Sequence, residues 1–439
     1  MSFLRGLSIV MGANLILLVL AFLNNKLLYI CLDKENNGLY FLILRFSVLI
    51  SLFSSDWLRL SNMNIAGRAN DLSKTLIANT IWYCIIVSII LIPFLAVFDP
   101  VIKTFFPGVP LLFILAAIGV AVIIMIRDSS LSLLLVSNRT VSYGLTQIIG
   151  GSVFLFLNML FLTVFHMGLR AVLLAWAVGG IVGMCWALFS HMAVHGYSIK
   201  PSWSVFNQSR KLGVRSWLAI IGMFLMINVH VFAIGPIIGD PAKTFTMLAI
   251  FSVCYRVFQV LQRFSDVTSG FLFSNVVQQD IASGSRMTVL TVRHVTLFSF
   301  AASVGAALFG KGLIIVISSS QYMSAYTPLI IMLPGMIAIN SGCVLNGFFW
   351  AHGYPMRIIL APFVVAGSAL LLDYLFIDSM GVTGIALSFT LVSVGWMLYT
   401  SLYFKKITGV GLSQIYLPRY SDFTYVFAGI KKFLKRNQA

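Results

Sequence analysis

Two arginines interrupt an otherwise apolar stretch, RVFQVLQRFSD, at residues 256–266. On an α-helix, Arg256, Gln259, Arg263 and Asp266 fall within one arc of about 120°, and apolar residues fill the rest of the surface. A guanidinium stays charged and binds phosphate oxygens through paired hydrogen bonds. The spacing therefore predicts an anion-binding stripe in which Gln259 bonds hydroxyl groups. The alternative is structural, with Arg263 paired to Asp266 and Arg256 bridging two parts of the fold.

A second charged segment precedes this one in the chain, at residues 45–59. Arg45 is a candidate second cation for the same anion, unless its side chain extends to the end of its helix. Asp56 is a candidate gate residue, unless it only caps that helix. Asp266 is also a candidate gate residue, unless its role is to orient Arg263. Arg59 is interpreted as a charge that fixes topology.

Other polar residues within apolar runs are weaker candidates. Arg127 and Asp128 are adjacent, and because neighbouring helical side chains do not face each other, we do not expect them to form one ion pair. Asn14, Asn228 and His230 could contact hydroxyl groups, but hydrogen bonding between helices is the default for such residues.

No pattern indicates catalysis or a bound cofactor. GAALFGKG, from Gly305, has the GxxxxGK outline of a phosphate loop but lacks the following Ser or Thr and a preceding strand. The five cysteines are scattered, without a CxxC pair or a cysteine–histidine cluster. We therefore expect no catalytic residue, no metal site and no cofactor.

The composition identifies the class of protein that must position these residues. Of 439 residues, 59% are hydrophobic and only 9% are charged, with a mean hydropathy of +0.98. Soluble domains are about a quarter charged, so the chain is expected to be an all-α integral membrane protein. The net charge of +17 does not indicate nucleic-acid binding, because the cations lie between apolar spans and not on a soluble module.

About twelve segments are long and apolar enough to span a bilayer. They are 7–24, 38–58, 76–98, 109–137, 142–166, 169–195, 214–238, 245–273, 291–317, 325–350, 355–378 and 382–404. An even number of spans places both termini on the same side of the membrane. The connections of that side, with the basic tail, carry most of the lysine and arginine, so it is predicted to be cytoplasmic.

A repeated pattern indicates two halves of six spans each. MGLRAVLLAWAVG, from Met167, opens span six, and MGVTGIALSFTLV, from Met380, opens span twelve. Parallel six-helix repeats are a transporter architecture with a central cleft. The predicted divisions are an N-terminal lobe at 1–195, a cytoplasmic linker at 196–213, a C-terminal lobe at 214–404 and a basic cytoplasmic tail at 405–439.

Several segments in order resemble one family of transporters. NNGLYFLI from Asn36, GDPAKTFTMLAI from Gly239, the two MG motifs and LPRYSD from Leu417 resemble Wzx-type O-antigen or polysaccharide flippases of the MOP (MATE-like) superfamily. The resemblance covers nearly the whole chain. It implies two six-helix lobes facing each other, with helices one, two, seven and eight lining the cleft.

The resemblance also implies a substrate, an undecaprenyl-pyrophosphate-linked oligosaccharide moved from the cytoplasmic to the periplasmic leaflet of a bacterial inner membrane. The expected partners are this glycan and membrane lipid, with a polysaccharide polymerase and a chain-length regulator as further candidates and no nucleic acid. Without a nucleotide site, a proton or sodium gradient could drive transport.

Other functions remain open. A MATE-type multidrug or metabolite exporter that moves cations would favour an acidic cleft, but here arginines outnumber acids within the spans. A lipid II flippase also needs a cationic cleft. A polysaccharide polymerase, the candidate from the enzyme class, would need a long outer loop, and the expected outer loops are short.

Overall fold

The computed structural model describes residues 3–97, 103–137, 139–276, 279–417 and 419. Within these ranges the chain is helical and contains no strand. Twelve of the described helices are long and apolar enough to cross a membrane, which confirms the predicted all-α integral membrane fold. The chain is a multi-pass membrane protein.

The spanning helices are numbered here in chain order. They are α1 Phe3–Cys31, α2 Lys34–Arg68, α3 Ser73–Val97, α4 Leu111–Val136, α5 Thr140–Met159, α6 Leu169–His195, α7 Trp203–Ile238, α8 Pro241–Val276, α9 Ile281–Ile317, α10 Tyr326–Ala351, α11 Met356–Met380 and α12 Val382–Thr408. A π-helical turn, Leu160–Val164, continues α5, and a short helix α13, Leu412–Tyr416, follows α12.

Capping residues, glycine and proline mark where several of these helices begin and end. Asp33 caps α2, because its carboxylate accepts the backbone N–H of Asn36 at 2.7 Å. Gly239 ends α7 with a left-handed φ of 72°, a conformation that glycine adopts without a steric cost. Pro241 begins α8 two residues later, at a position where the missing N–H costs nothing.

Two helices extend well beyond their predicted spans. The second span was expected to end at residue 58, but α2 continues to Arg68, so Asp56 lies inside the helix and does not cap its end. The seventh span was expected to begin at residue 214, but α7 begins at Trp203. Part of the segment interpreted as a linker is therefore helical. The predicted division into six-helix lobes around a linker stays a prediction.

By its internal contacts, the chain forms two compact units. Unit 1 comprises Met1–Ser252 with Ile314–Met323, and unit 2 comprises Val253–Leu313 with Ser324–Ala439. In unit 1, α2 packs against α4 and α7, and α5 packs against α1 and α6. The backbones of α5 and α6 approach closely, because Gly150 and Gly179 lie against each other and leave no room for a Cβ.

Unit 2 has its own core. α12 packs against both α10 and α11, and Gly342 of α10 lies against the ring of Trp396 of α12. Phe348 and Phe404 meet edge to face with ring centroids 4.9 Å apart. The terminal helix α13 joins this core through the buried Ile415, and the guanidinium Nε of Arg293 donates to the Gln414 carbonyl at 2.8 Å.

Candidate functional site

The cationic stripe lies on α8, and Arg256 is its first residue. Arg256 lies fifteen positions after Pro241, the first residue of the helix, which places it about 22 Å along the helix axis, well inside a span. Its side chain is half-buried, and one guanidinium NH group donates to the Oε1 of Gln259 at 3.1 Å. The structure therefore brings Arg256 and Gln259 together, as one turn of helix predicts.

Arg263 and Asp266 lie on the same helix face, and both are exposed. Among the described residues neither forms an ion pair, although i,i+3 spacing places them on adjacent turns. The two side chains therefore form no close ion pair here, and the roles of Asp266 as a gate residue or as a group that orients Arg263 stay predictions. Exposed charges on a spanning helix require water or headgroups around them, because hydrocarbon does not solvate them.

The surface beside the stripe is apolar and open. Val260 and Val267 are each 48% exposed and lie next to the cations around the helix. On the other side of α8, Val257 and Phe258 are buried. The exposed face of this half of α8 therefore presents charged and aliphatic groups side by side. The sequence placed aliphatic residues on the rest of the helix surface but did not show which of them are exposed, because exposure cannot be read from residue type.

Arg45, in unit 1, is buried and not extended to a surface. Its relative exposure is 6%, and its guanidinium carbon lies 5.2 Å from the centroid of the Phe41 ring, one turn earlier on α2. A cation over an aromatic face is stabilised by the ring quadrupole. The side chain is thus held in place by its own helix.

Asp56 is also buried, and it contacts Arg59 on the next turn of α2. The Nε of Arg59 lies 2.8 Å from one carboxylate oxygen of Asp56, and a terminal nitrogen lies 3.3 Å from the other. The two partners therefore form a two-point ion pair along one helix. The role of Asp56 as a gate residue stays a prediction.

The interpretation of Arg127 and Asp128 was wrong. The Nε of Arg127 donates to a carboxylate oxygen of Asp128 at 2.9 Å, although the residues are neighbours. Both side chains are about one-third exposed, at 31% and 39%. A long arginine stem can curl back around the helix where packing leaves it room, so adjacency alone does not prevent pairing.

Two of the remaining polar candidates bond within their own helices. Asn14 donates to the Val10 carbonyl at 2.9 Å, and Asn228 donates to the Phe224 carbonyl at 2.9 Å. His230 is fully buried in α7. Among the described residues, no group of three or more His, Cys, Asp or Glu side chains could hold a metal ion.

Comparison with known proteins gives a fold but no close relative. No protein-family model matches the sequence, and no curated protein matches it significantly. Solved structures do match. An inward-facing multidrug-resistance MATE transporter of the MOP superfamily aligns with a TM-score of 0.70 at 12% identity, covering 92% of this chain and 97% of its own. The lipid II flippase MurJ, in an inward closed conformation, aligns with a TM-score of 0.73 at 14% identity, covering 90% and 87%.

This chain has the fold of the MOP superfamily transporters. A third MOP member, from Pyrococcus furiosus, is described as having a binding pocket of reverse polarity that suggests a different function; it aligns with a TM-score of 0.62 at 13% identity over 92% of this chain and 94% of its own. At these identities the MOP likeness establishes architecture alone.

Proposed function

We propose that this protein flips undecaprenyl-pyrophosphate-linked oligosaccharide units, of the O-antigen or capsule type, from the cytoplasmic to the periplasmic leaflet of a bacterial inner membrane. The observation that carries the proposal is the half-buried Arg256, held by Gln259 on the polar stripe of a spanning helix. The MOP fold supports movement of a solute by alternating access, because MATE transporters and the MurJ flippase share it.

The chemistry of the exposed α8 face matches each part of such a substrate. Arg256 and Arg263 are about 10 Å apart along the helix axis, a distance that an extended pyrophosphate and its first sugar can cover. Gln259 and Gln262 lie between them and can bond sugar hydroxyls. The adjacent aliphatic surface suits the first isoprene units of the lipid. Arg45 is a separate candidate contact in unit 1.

A lipid II flippase is the second candidate, because lipid II also carries a glycan on a polyprenyl pyrophosphate and the MurJ fold matches. In this proposal the α8 stripe binds the pyrophosphate and the first sugars, which both substrates carry. A drug-cation exporter fits less well, because exposed guanidinium groups repel cations. A proton or sodium gradient is the proposed energy source. The polymerase and the chain-length regulator of the same glycan are proposed partners.

The test is genetic and uses one matched control. The gene is deleted in its own host, and surface glycan is resolved on a gel after complementation with wild type, Arg256→Ala, Arg256→Lys or Lys243→Ala. Lys243 is an exposed cation on the first turn of the same helix, outside the stripe. Wild type and Lys243→Ala should restore polymeric glycan, and Arg256→Ala should not. Arg256→Lys should restore it in part, since lysine keeps the charge but not the bidentate geometry.

The outcomes separate the candidates. Accumulation of undecaprenyl-linked units in the deleted strain, on the cytoplasmic side, supports the flippase. Arrest of cell-wall synthesis with intact surface glycan favours lipid II. Full export by an Arg256→Ala protein that inserts normally overturns the role of the stripe.

A further inference from the structure

The first part of α7 extends beyond the hydrocarbon core of a membrane. The helix has 36 residues and is therefore about 54 Å long, whereas the hydrocarbon core is about 30 Å thick. Its charged side chains, Arg210, Lys211 and Arg215, precede a long remainder that contains no Lys, Arg, Asp or Glu. Residues 203–215, here called the basic segment, therefore lie at or outside the lipid headgroups of one leaflet.

The cations of this region have no acidic neighbours in the sequence, because no Asp or Glu occurs between Asp128 and Asp240. The exposed cations at the beginning of α7 and just before it are Lys200, Arg210, Lys211 and Arg215. None of the four forms an ion pair within the part of the chain that the structure describes. A guanidinium nitrogen of Arg210 donates to the Oδ1 of Asn207 at 3.0 Å, which uses one of its five N–H groups. These cations are therefore available to an anion from outside the protein.

An aromatic side chain lies beside the cations and is held in a fixed position. Trp203 is 74% exposed, yet its ring stacks on that of Phe206 with centroids 5.4 Å apart. Phe206 in turn meets the rings of Trp57 and Tyr83. Tryptophan is enriched where membrane meets water, because its ring is apolar and its N–H is a hydrogen-bond donor. The exposed indole of Trp203 therefore suits the same headgroup level as the basic segment.

The connection that precedes α7 is held on α3. The amide nitrogen of the buried Asn79 donates to the Ser202 carbonyl at 3.0 Å, and its Oδ1 accepts the Ser202 backbone N–H at 2.7 Å. The Nε1 of Trp82 donates to the Ile199 carbonyl at 2.9 Å. Lys200 lies between these two attachment points. The backbone that carries it is thus ordered in advance, which reduces the entropy lost when a ligand binds.

We propose that the basic segment and residues 197–202 form a binding site for an anionic phospholipid, with the cations on its phosphate and Trp203 beside its glycerol region. A juxtamembrane cluster of lysine and arginine attracts anionic lipid, and arginine binds phosphate oxygens through paired hydrogen bonds. Cations that only fix topology need neither a docked connection nor a stacked indole. All of these residues belong to unit 1, and the inference does not depend on which substrate the protein moves.

The first experiment measures thermal unfolding of the purified full-length protein in an uncharged detergent. Phosphatidylglycerol, phosphatidylcholine or inorganic phosphate is added to wild type and to two double variants. Arg210→Gln with Lys211→Gln alters the proposed site. Lys405→Gln with Lys406→Gln is the matched control, because it removes two exposed cations at the end of α12, on the same predicted side of the membrane.

The proposed site predicts a different result for each double variant. Phosphatidylglycerol should raise the melting temperature of wild type and of the control, by an amount that grows with the logarithm of lipid concentration. The variant at Arg210 and Lys211 should lose most of this rise, and phosphatidylcholine should produce none. An equal rise in all three proteins would show that only net charge matters. That result, no rise in any protein, or an equal rise with inorganic phosphate would overturn the lipid site.

A second measurement locates the contact in the unsubstituted protein. Amide hydrogen exchange over residues 196–202 should be slower in nanodiscs that contain phosphatidylglycerol than in nanodiscs of phosphatidylcholine alone, whereas exchange over residues 405–411 should be the same in both. Equal exchange over 196–202 in the two lipids would overturn the proposal. Slowing only in nanodiscs made from host membranes, and not with phosphatidylglycerol, would instead assign this surface to an acidic protein partner.

Discussion

Asp56 and Arg59 stabilise each other at partly buried positions, and this pair yields a residue-scale prediction. Their side chains are 12% and 29% exposed, so removal of one partner leaves the other short of hydrogen bonds. Asp56→Ala should lower the free energy of unfolding in mixed micelles by roughly 1–3 kcal/mol. The double substitution with Arg59→Ala should recover part of that loss. An unchanged unfolding midpoint in the single variant would mean that solvent already satisfies the pair.

At this scale, some features of the site followed from sequence and others did not. The stripe of Arg256, Gln259, Arg263 and Asp266 could be predicted, because helical periodicity alone decides which residues share a face. The pair of Arg127 with Asp128 could not, because it depends on the room that packing leaves for a long side chain. Exposure of Val260 could not be predicted for the same reason.

At the scale of the helices, the approach of α2 to α8 depends on one glycine. A Cβ built on Gly38 would lie 1.8 Å from the carbonyl oxygen of Phe245, so any side chain forces the two backbones apart. Gly38→Ala should therefore lower the melting temperature and the yield of folded protein, even though alanine favours a helix by about 1 kcal/mol. Thermal unfolding in detergent measures the effect.

Gly119 provides the control for that substitution. It lies in α4 with no atom near the position of a Cβ, so Gly119→Ala should leave the melting temperature unchanged or raise it. An equal fall in melting temperature in both variants would show that the glycines act through chain flexibility and not through contact. Gly38 belongs to NNGLYFLI and Phe245 to GDPAKTFTMLAI, so the two motifs that suggested the family resemblance meet in space.

The ends of the helices were less predictable than their existence. An apolar run marks where a helix crosses hydrocarbon, but not where its hydrogen bonding stops. α7 begins at Trp203 because its first turns pack on the aromatic surface of Trp57 and Tyr83, where Phe206 meets both rings. That surface combines residues that are far apart in the sequence, so no local pattern predicts it.

For the whole molecule, the predicted orientation can be tested with the native cysteines. Cys31 is exposed at the end of α1, and if both termini are cytoplasmic it faces the periplasm. A membrane-impermeant maleimide should label it in intact spheroplasts, and Cys31→Ser should abolish the signal. Cys185, exposed on the middle of α6, should resist the aqueous reagent because lipid covers it. Labelling of Cys31 only after permeabilisation would reverse the orientation.

The number of spans followed from composition, whereas the division into units did not. Twelve apolar segments can be recognised in the sequence. Each spanning helix forms its backbone hydrogen bonds within itself and exposes apolar side chains to hydrocarbon, so its signal is local. The boundary after Ser252, in the middle of α8, depends on contacts such as that of Tyr29 with Ser252, which are far apart in sequence.

The tight turn at Gly239 has a consequence for how the protein is made. On translocon insertion scales, an arginine near the centre of a helix raises the free energy of membrane insertion by about 2.5–3.5 kcal/mol. Roughly five or more leucines are needed to offset one such arginine. α8 emerges from the ribosome with Arg256, Arg263 and Asp266, but α7, which carries no Lys, Arg, Asp or Glu after Arg215, emerges first. Joined by only two residues, α7 and α8 can leave the translocon as one hairpin, so the apolar helix offsets the cost of inserting the charged one.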